Sequence, residues 1–189
     1  DLKKNKTIYR SDYEHDTGKF SELKKVIPKD YIVIAGLHPF YLPKLRKSID
    51  LKIYLDTDES LRRHWKIIRD TSKRGYTLEK ILKQINDRTN DVQKYIYPQK
   101  SFADLIINFY PINKFILGDE FESINLGLRI TLDANIHLDD ILDEFNTNTE
   151  WDYNDDLKTQ YINFKSIPDL NFKSIAIRKI ENINELLSS

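Results

Sequence analysis

The clearest alternation of apolar and polar positions lies between Leu51 and Lys100. It opens with the apolar run Leu-Lys-Ile-Tyr-Leu (51–55), short enough for a strand. From Leu61 to Arg74, apolar Leu61, Trp65 and Ile68 recur at helical spacing. Basic Arg62, Lys66, Arg69 and Lys73 recur at the same spacing, one residue later. The spacing predicts a helix that buries the first stripe and shows the second to a ligand or to water. Asp56 or Thr57 can cap its start, with Glu59 three residues after Asp56 as in a capping box. Gly75 suits a left-handed C-cap. A second helix starts at Thr77 or Leu78, with Leu78, Ile81, Leu82 and Ile85 as its apolar stripe, and Pro98 ends it.

Elsewhere the chain punctuates itself in short elements. Tyr31-Ile-Val-Ile-Ala35 is a continuous apolar run, the pattern of a strand covered on both faces. Gly36-Leu-His-Pro39 breaks it, placing His38 at a strand's carboxyl end, where open α/β sheets bind ligands. A packed loop histidine is an equal reading of His38. Leu42 to Ile49 suits a short helix with Pro43 in its first turn. Asp104 to Tyr110 is a third strand, so strand, helix and strand follow one another as in a parallel sheet. After about residue 112 the grammar changes. Leu126 to Leu132 alternates, as a strand with one solvated face does. His137 to Phe145 reads as a short acidic helix, Thr147 to Asp156 as an acidic loop, and Tyr161 to Lys165 as a strand. Phe172 to Ile177 and Ile180 to Leu187 are apolar terminal elements. The organisation expected is an α/β unit over residues 1–111 and an α+β appendage over 112–189.

Charge narrows the function classes. Thirty basic residues balance thirty acidic ones, which argues against general nucleic-acid affinity. The balance conceals a polarity: residues 62–74 carry six Lys or Arg and one acid, Asp70, whereas residues 139–156 carry eight acids and no Lys or Arg. With no cysteine there is no disulfide, thiolate metal site or cysteine nucleophile, which fits a cytoplasmic location. No apolar run is long enough to span a bilayer, so no membrane partner is expected. His15, His38, His64 and His137 lack metal-type spacing, so no metal site is expected, and no Gly-x-Ser-x-Gly elbow occurs. The chain starts at Asp1 and contains no methionine, so a processed form or a fragment is expected.

Five stretches stand in a telling order: Ile34-Ala-Gly-Leu-His-Pro-Phe-Tyr41, Leu51-Lys-Ile-Tyr-Leu-Asp56, Trp65-Lys-Ile-Ile-Arg-Asp70, Arg74-Gly-Tyr-Thr-Leu-Glu79 and Tyr95-Ile-Tyr-Pro-Gln-Lys-Ser-Phe-Ala-Asp104. Together they resemble the C-terminal half of the phosphoribulokinase/uridine kinase family over residues 9–110. The tail, 112–189, is more loosely similar to the extra domain of some bacterial members. The resemblance implies a P-loop-kinase-like three-layer α/β core with parallel strands, and transfer of the terminal phosphate of ATP to a hydroxyl of a sugar phosphate or nucleoside. It implies that Lys66, Arg69 and Arg74 belong to a lid closing over phosphates. It also implies a substrate segment at Tyr13-Glu14-His15, which from composition alone reads as a surface hairpin.

Two departures qualify that expectation. No G-x-x-x-x-G-K-[ST] phosphate loop occurs among the five glycines. Ala35 stands where the family strand usually ends in Glu, and alanine can neither bind magnesium nor accept a proton. The chain is therefore expected to supply acceptor and lid elements (Tyr13, His15 and His38 for substrate; Lys66, Arg69 and Arg74 for phosphate) with no catalytic residue of its own. ATP and Mg are expected for the parent enzyme, and neither is held firmly by this chain alone. Expected partners are a small phosphorylated metabolite or nucleoside, the missing P-loop half and further copies of the chain. The alternative is a non-catalytic relative that binds or senses a phosphometabolite. A protein–protein module built on the acidic 139–156 segment is a third class.

Overall fold

Apolar side chains spaced two apart build a five-stranded mixed sheet, seen in a computed structural model that describes residues 1–14, 17–120, 123–138 and 149–166. The strands are β5 (Ile53–Thr57), β6 (Leu105–Pro111), β7 (Leu126–Asp133), β8 (Thr149–Tyr153) and β9 (Thr159–Phe164), in the order β5-β6-β7-β9-β8. β5 and β6 are parallel, with Leu55 opposite Ile107. The remaining pairs are antiparallel. Leu105 and Ile107 of β6, Leu128, Ile130 and Leu132 of β7, and Ile162 and Phe164 of β9 form one buried cluster, joined by Leu138. The register aligns them across the sheet, Leu105 with Leu132, Ile107 with Ile130, and Ile130 with Ile162. Because side chains alternate faces with period two, this alignment concentrates the apolar set on one side.

The parallel pair needs a crossover, and helices supply it. α1 (Pro43–Arg46) precedes β5, with Pro43 in its first turn as predicted. α2 (Glu59–Arg74) and α3 (Leu78–Asp87) follow it. Asp58 caps α2, its carboxylate accepting from the Ser60 amide at 2.9 Å; the cap expected at Asp56 or Thr57 is displaced because β5 extends through Thr57. Gly75 closes α2 in the left-handed conformation (φ 62°), as the sequence predicts; α3 starts at Leu78, one of the two starts expected, with Thr77 as its cap. Beyond α3 the backbone changes pitch, to a π segment over Val92–Ile96 and a 3₁₀ segment over Tyr97–Phe102, before Asp104 leads into β6. Buried Gln99 ties this stretch down. Its amide nitrogen donates to the Tyr95 carbonyl (2.7 Å), and its oxygen accepts from the Phe40 amide (2.9 Å).

The strands after residue 111 continue the same sheet. β8 corrects the loop expected over 147–156. Trp151 donates from its indole to Gln160 (2.9 Å), and Glu150 pairs with Lys165 (2.9 Å), so its acidic composition does not prevent pairing with β9. The helix expected from His137 runs into residues beyond those described. Phe172–Ile177, Ile180–Leu187 and His15 also lie outside them.

The chain clusters into two compact units, Phe40–Ser189, which holds this sheet, and Asp1–Pro39. The smaller unit carries two antiparallel ribbons, β1 (Ile8–Arg10) with β4 (Lys24–Val26) and β2 (Tyr13–Glu14) with β3 (Lys19–Phe20). Asp12 sits between Arg10 (2.6 Å) and Lys24 (2.8 Å). Tyr31–Ala35, expected as a buried parallel strand, is irregular and exposed throughout, with Val33 93% exposed. A two-sided strand exists only between neighbours that satisfy its backbone, and within Asp1–Pro39 the described strands pair elsewhere. Among the described residues no helix is long and apolar enough to cross a membrane.

One cross-strand pair tests the sheet. Tyr110 lies across Gly127, and its hydroxyl donates to the Phe164 carbonyl (3.2 Å). A Cβ at position 127 would fall 2.3 Å from the Tyr110 ring. Gly127→Ala is expected to cost about 1–3 kcal/mol through overpacking, measured by urea unfolding; a neutral result would show that the ring is free to move aside.

Candidate functional site

The site is built on α2, and its centre is an acid. Sixteen residues long, the helix buries Leu61, His64, Ile67 and Asp70. Positions three apart drift by about 60° around a helix at each step. The buried line therefore winds round α2, and Asp70 stands about half a turn away from Leu61. This corrects the stripe expected at Leu61, Trp65 and Ile68: Trp65 is exposed and Ile68 only half-buried. It also corrects the basic face, which is not simply turned to solvent.

Asp70 has no exposed surface, and three cations close over its carboxylate. Lys66 Nζ lies 2.7 Å away, one helical turn before it. Arg69 Nε donates at 2.8 Å, and Arg74 Nη1 approaches to 3.2 Å from one turn beyond. The Arg69 hydrogen bond is the largest influence holding the carboxyl down, to about 2, with Lys66 adding to it against the opposing effect of burial. The outer parts of Arg69 and Arg74 stay half-exposed (51% and 46%). The three residues expected to bind phosphate are thus gathered on one carboxylate, with donors left facing out. An arginine has five N–H donors and a lysine three, and Asp70 engages only a fraction of them.

A cleft of about 880 Å³ lies at the other end of the helix, at the carboxyl ends of β5 and β6. One wall is the start of α2, Asp58 to Ser60 with Arg63; the other is Pro111 to Phe115 with Leu117. Two contacts hold the walls together. The Asp58 amide donates to the Phe109 carbonyl (2.8 Å), and His64 Nδ1 accepts from the Gly118 amide (3.1 Å). The His64 and Phe115 rings meet edge to face at 5.0 Å. Nearby, Arg62 bridges Glu59 and the Tyr97 hydroxyl, and Lys100 pairs with Asp56 (2.6 Å), fastening α2 and β5 to the 3₁₀ segment.

The other sequence candidates lie in the smaller unit. Tyr13 is half-exposed in the β2–β3 ribbon, stacked edge to face on Phe20 at 5.4 Å, which matches the surface-hairpin reading. His38 is exposed and follows irregular chain, so the strand end that recommended it is not there. His15 is outside the described residues. Sequence reasoning missed the cleft, the His64 contact and the hub at Asp70. For Asp70 the signal was present: it is the only acid among six cations in residues 62–74. Among the described residues no group of three or more His, Cys, Asp or Glu is gathered as a metal site. The donor chemistry of Lys66, Arg69 and Arg74 does suit phosphate oxygens.

The lowered Asp70 pKa sets a pH dependence. A carboxyl ionised more readily folded than unfolded stabilises the fold above its unfolded value of 3.8 and loses that contribution as pH falls towards 2. The contribution is on the order of 2 kcal/mol. The difference in unfolding free energy between the native chain and Asp70→Asn should therefore be constant above about pH 5 and shrink between pH 4 and 2. A difference independent of pH would show that the cations do not hold the carboxylate.

Comparison with known proteins places this geometry. The family model described as "Phosphoribulokinase / Uridine kinase family" matches residues 1–115. The chain is 43% identical over 129 residues to a phosphoribulokinase of Synechocystis sp., covering 68% of this chain and 38% of that protein. It is 40% identical over 110 residues to the chloroplastic phosphoribulokinase of Chlamydomonas reinhardtii, covering 58% and 29%. A uridine kinase of Borrelia turicatae is 37% identical over 108 residues, covering 56% and 52%. The chain thus spans about a third of the length of the phosphoribulokinases it matches. Among solved structures, "phosphoribulokinase from Rhodobacter spheroides" aligns over 95% of this chain and 67% of its own, with a TM-score of 0.73 at 18% identity, a likeness of fold. On the match over residues 1–115, which carries the basic helix and the parallel strand pair, the chain belongs to the phosphoribulokinase/uridine kinase family.

Proposed function

We propose that this chain supplies the lid and acceptor elements of an ATP-dependent kinase that phosphorylates a hydroxyl of a sugar phosphate or nucleoside. The observation that carries the reading is the gathering of Lys66, Arg69 and Arg74 on Asp70 in a chain of this family. Phosphoryl transfer depends on positioning and on cations that neutralise charge on the transferring group. Arg69 and Arg74 offer planar forks to phosphate oxygens, and Lys66 a point charge. The cleft at the strand ends, with Phe115, Leu117 and Ile112 beside Arg63, suits the flat, apolar end of a nucleotide. Tyr13, His15 and His38 are the residues proposed to meet the acceptor.

In this reading the phosphate-cradling loop and the metal ligands come from a further polypeptide segment. Three observations support it: no phosphate loop in the sequence, β5 at an edge of its sheet, and apolar Tyr31–Ala35 exposed. Residues 1–111 then form the kinase portion, and the strands after 112 an extension laid onto its sheet. Self-association through such open surfaces follows the same logic. Ala35 favours a second reading, a relative that binds a phosphometabolite without transferring phosphate.

The chain alone is expected to show no phosphoryl transfer from ATP to ribulose 5-phosphate or uridine with Mg present. Arg69→Ala and Arg74→Ala should each weaken ATP or sugar bisphosphate binding about tenfold or more, the scale of one lost charge-assisted hydrogen bond. Calorimetric titration of the native chain and both variants checks this. Binding unchanged in both would leave the basic helix as a solvated face.

A further inference from the structure

The far wall of the cleft, residues 111–118, is held at two points of different chemistry. At its start it is fastened by its own neighbours in the chain. The Ile112 amide donates to the Asn125 carbonyl (2.8 Å), and the Asn113 side-chain oxygen accepts from the Asn125 amide (2.7 Å). Further on it leans on α2. The Gly118 amide donates to His64 Nδ1 (3.1 Å), and Phe115 meets the His64 ring edge to face at 5.0 Å. The approach is close, since a Cβ at Gly118 would fall 3.1 Å from Ile67 Cγ2. We propose that His64 is a positioning residue for the cleft: its neutral ring holds Phe115 and Leu117 in place as a wall, and a proton on Nδ1 releases them. The inference rests on the reading of this cleft as the seat of the flat end of a nucleotide.

The contact itself selects the protonation state. A backbone N–H donates and cannot accept, so Nδ1 must keep its lone pair, and the neutral ring then carries its proton on Nε2. An imidazolium donates from both nitrogens. Its Nδ1–H would meet the Gly118 N–H, donor against donor, at a residue only 4% exposed. The Gly118 amide, left without its acceptor, finds another only if the segment moves towards water. His64 is not itself among the residues lining the cleft, whereas Phe115 and Leu117 are. It therefore acts on a ligand through the wall it holds.

The charged residues of the two packed elements do not change this. On α2, Arg63 pairs with Glu59 (3.9 Å) and Lys66 with Asp70 (2.7 Å). On the facing segment, Lys114 would repel an imidazolium, and Asp119 and Glu120 would attract one. These charges bear on when the ring takes a proton, and none of them restores an acceptor at Nδ1. Histidine as a class changes charge between pH 5 and 8. The contact needs the deprotonated ring, so the wall is held at the upper end of that range and loosened as pH falls. Asp70, held down to about 2, keeps its charge throughout.

The experiment is an NMR titration of the 189-residue chain with adenosine at pH 8 and at pH 5, following the Gly118 amide and the His64 ring signals. Adenosine carries no phosphate, so its binding reports the cleft and not the cations of α2. The native chain should bind it about tenfold or more tightly at pH 8 than at pH 5, the scale of one lost hydrogen bond. The Gly118 signal should move as the His64 ring takes its proton. His64→Asn sets a carboxamide oxygen near the position of Nδ1 and does not titrate; it should bind alike at both pH values. His64→Phe keeps a ring against Phe115 but offers no acceptor; at both pH values it should bind as weakly as the native chain does at pH 5. If the native chain does not bind adenosine at pH 8, the nucleotide reading of the cleft fails and this inference with it. If it binds, three results each sink the inference alone: equal native binding at the two pH values, His64→Phe binding as tightly as the native chain at pH 8, or an acid loss that persists in His64→Asn.

Discussion

A carboxylate with no exposed surface must be compensated, and the arrangement of α2 follows from how Asp70 meets that requirement. The cations hold its carboxyl down to about 2, a contribution on the order of 2 kcal/mol. Three partners converge here, at 2.7, 2.8 and 3.2 Å. Helical spacing supplies two of them, one turn either side, so the cluster exists only while α2 is continuous from Lys66 to Arg74. That continuity depends in turn on the Asp58 cap at one end and the left-handed Gly75 at the other. The Tyr76 amide also returns to the Asp70 carbonyl (3.1 Å), so the residue that gathers the cations also takes part in ending the helix. Fold and site share one constraint.

The helix gives the site its length. Asp58 and Asp70 are twelve residues apart, about 18 Å along the axis at 1.5 Å per residue. The cleft at the carboxyl ends of β5 and β6 thus lies at one end of α2, and the cation cluster near the other. The sheet sets the first end, because the parallel pairing of β5 with β6 brings Thr57 and Phe109 level, where the Asp58 amide can reach the Phe109 carbonyl. His64, one turn into α2, then holds the far wall through the Gly118 amide. The antiparallel strands β7, β9 and β8 add the buried cluster that keeps β6 in place, and so support the cleft without lining it.

What the sequence revealed depended on whether the cause was local. Gly75 acts within one turn of itself and was legible as a cap, and the start of α3 was legible to within a residue. The parallel strands at 53–57 and 105–111 were legible as apolar runs in the right order. The phase of α2 was not. Trp65 is the largest apolar residue in the helix, and it suggested a stripe through 61, 65 and 68. The buried line instead runs through His64, whose ring nitrogen is satisfied by a backbone amide fifty-four residues away. No periodicity can show that partner. β8 failed for a related reason: Glu150 and Asp152 read as loop until Lys165 and the cross-strand Gln160 contact are known. Tyr31–Ala35 failed in the other direction, since an apolar run records a strand's need for neighbours and not their presence. Lys66, Arg69 and Arg74 were singled out as a group, whereas their common partner Asp70 was seen in the sequence and given no role.

Position 35 separates binding from chemistry. Within Asp1–Pro39 Ala35 is exposed, so no packing in that unit demands a small side chain there. An acid would be tolerated on the same backbone. The cations of α2, by contrast, sit in a cluster that would be costly to dismantle, since Asp70 depends on them. Lys66, Arg69 and Arg74 are held by the fold through Asp70, whereas nothing within Asp1–Pro39 holds the side chain at position 35.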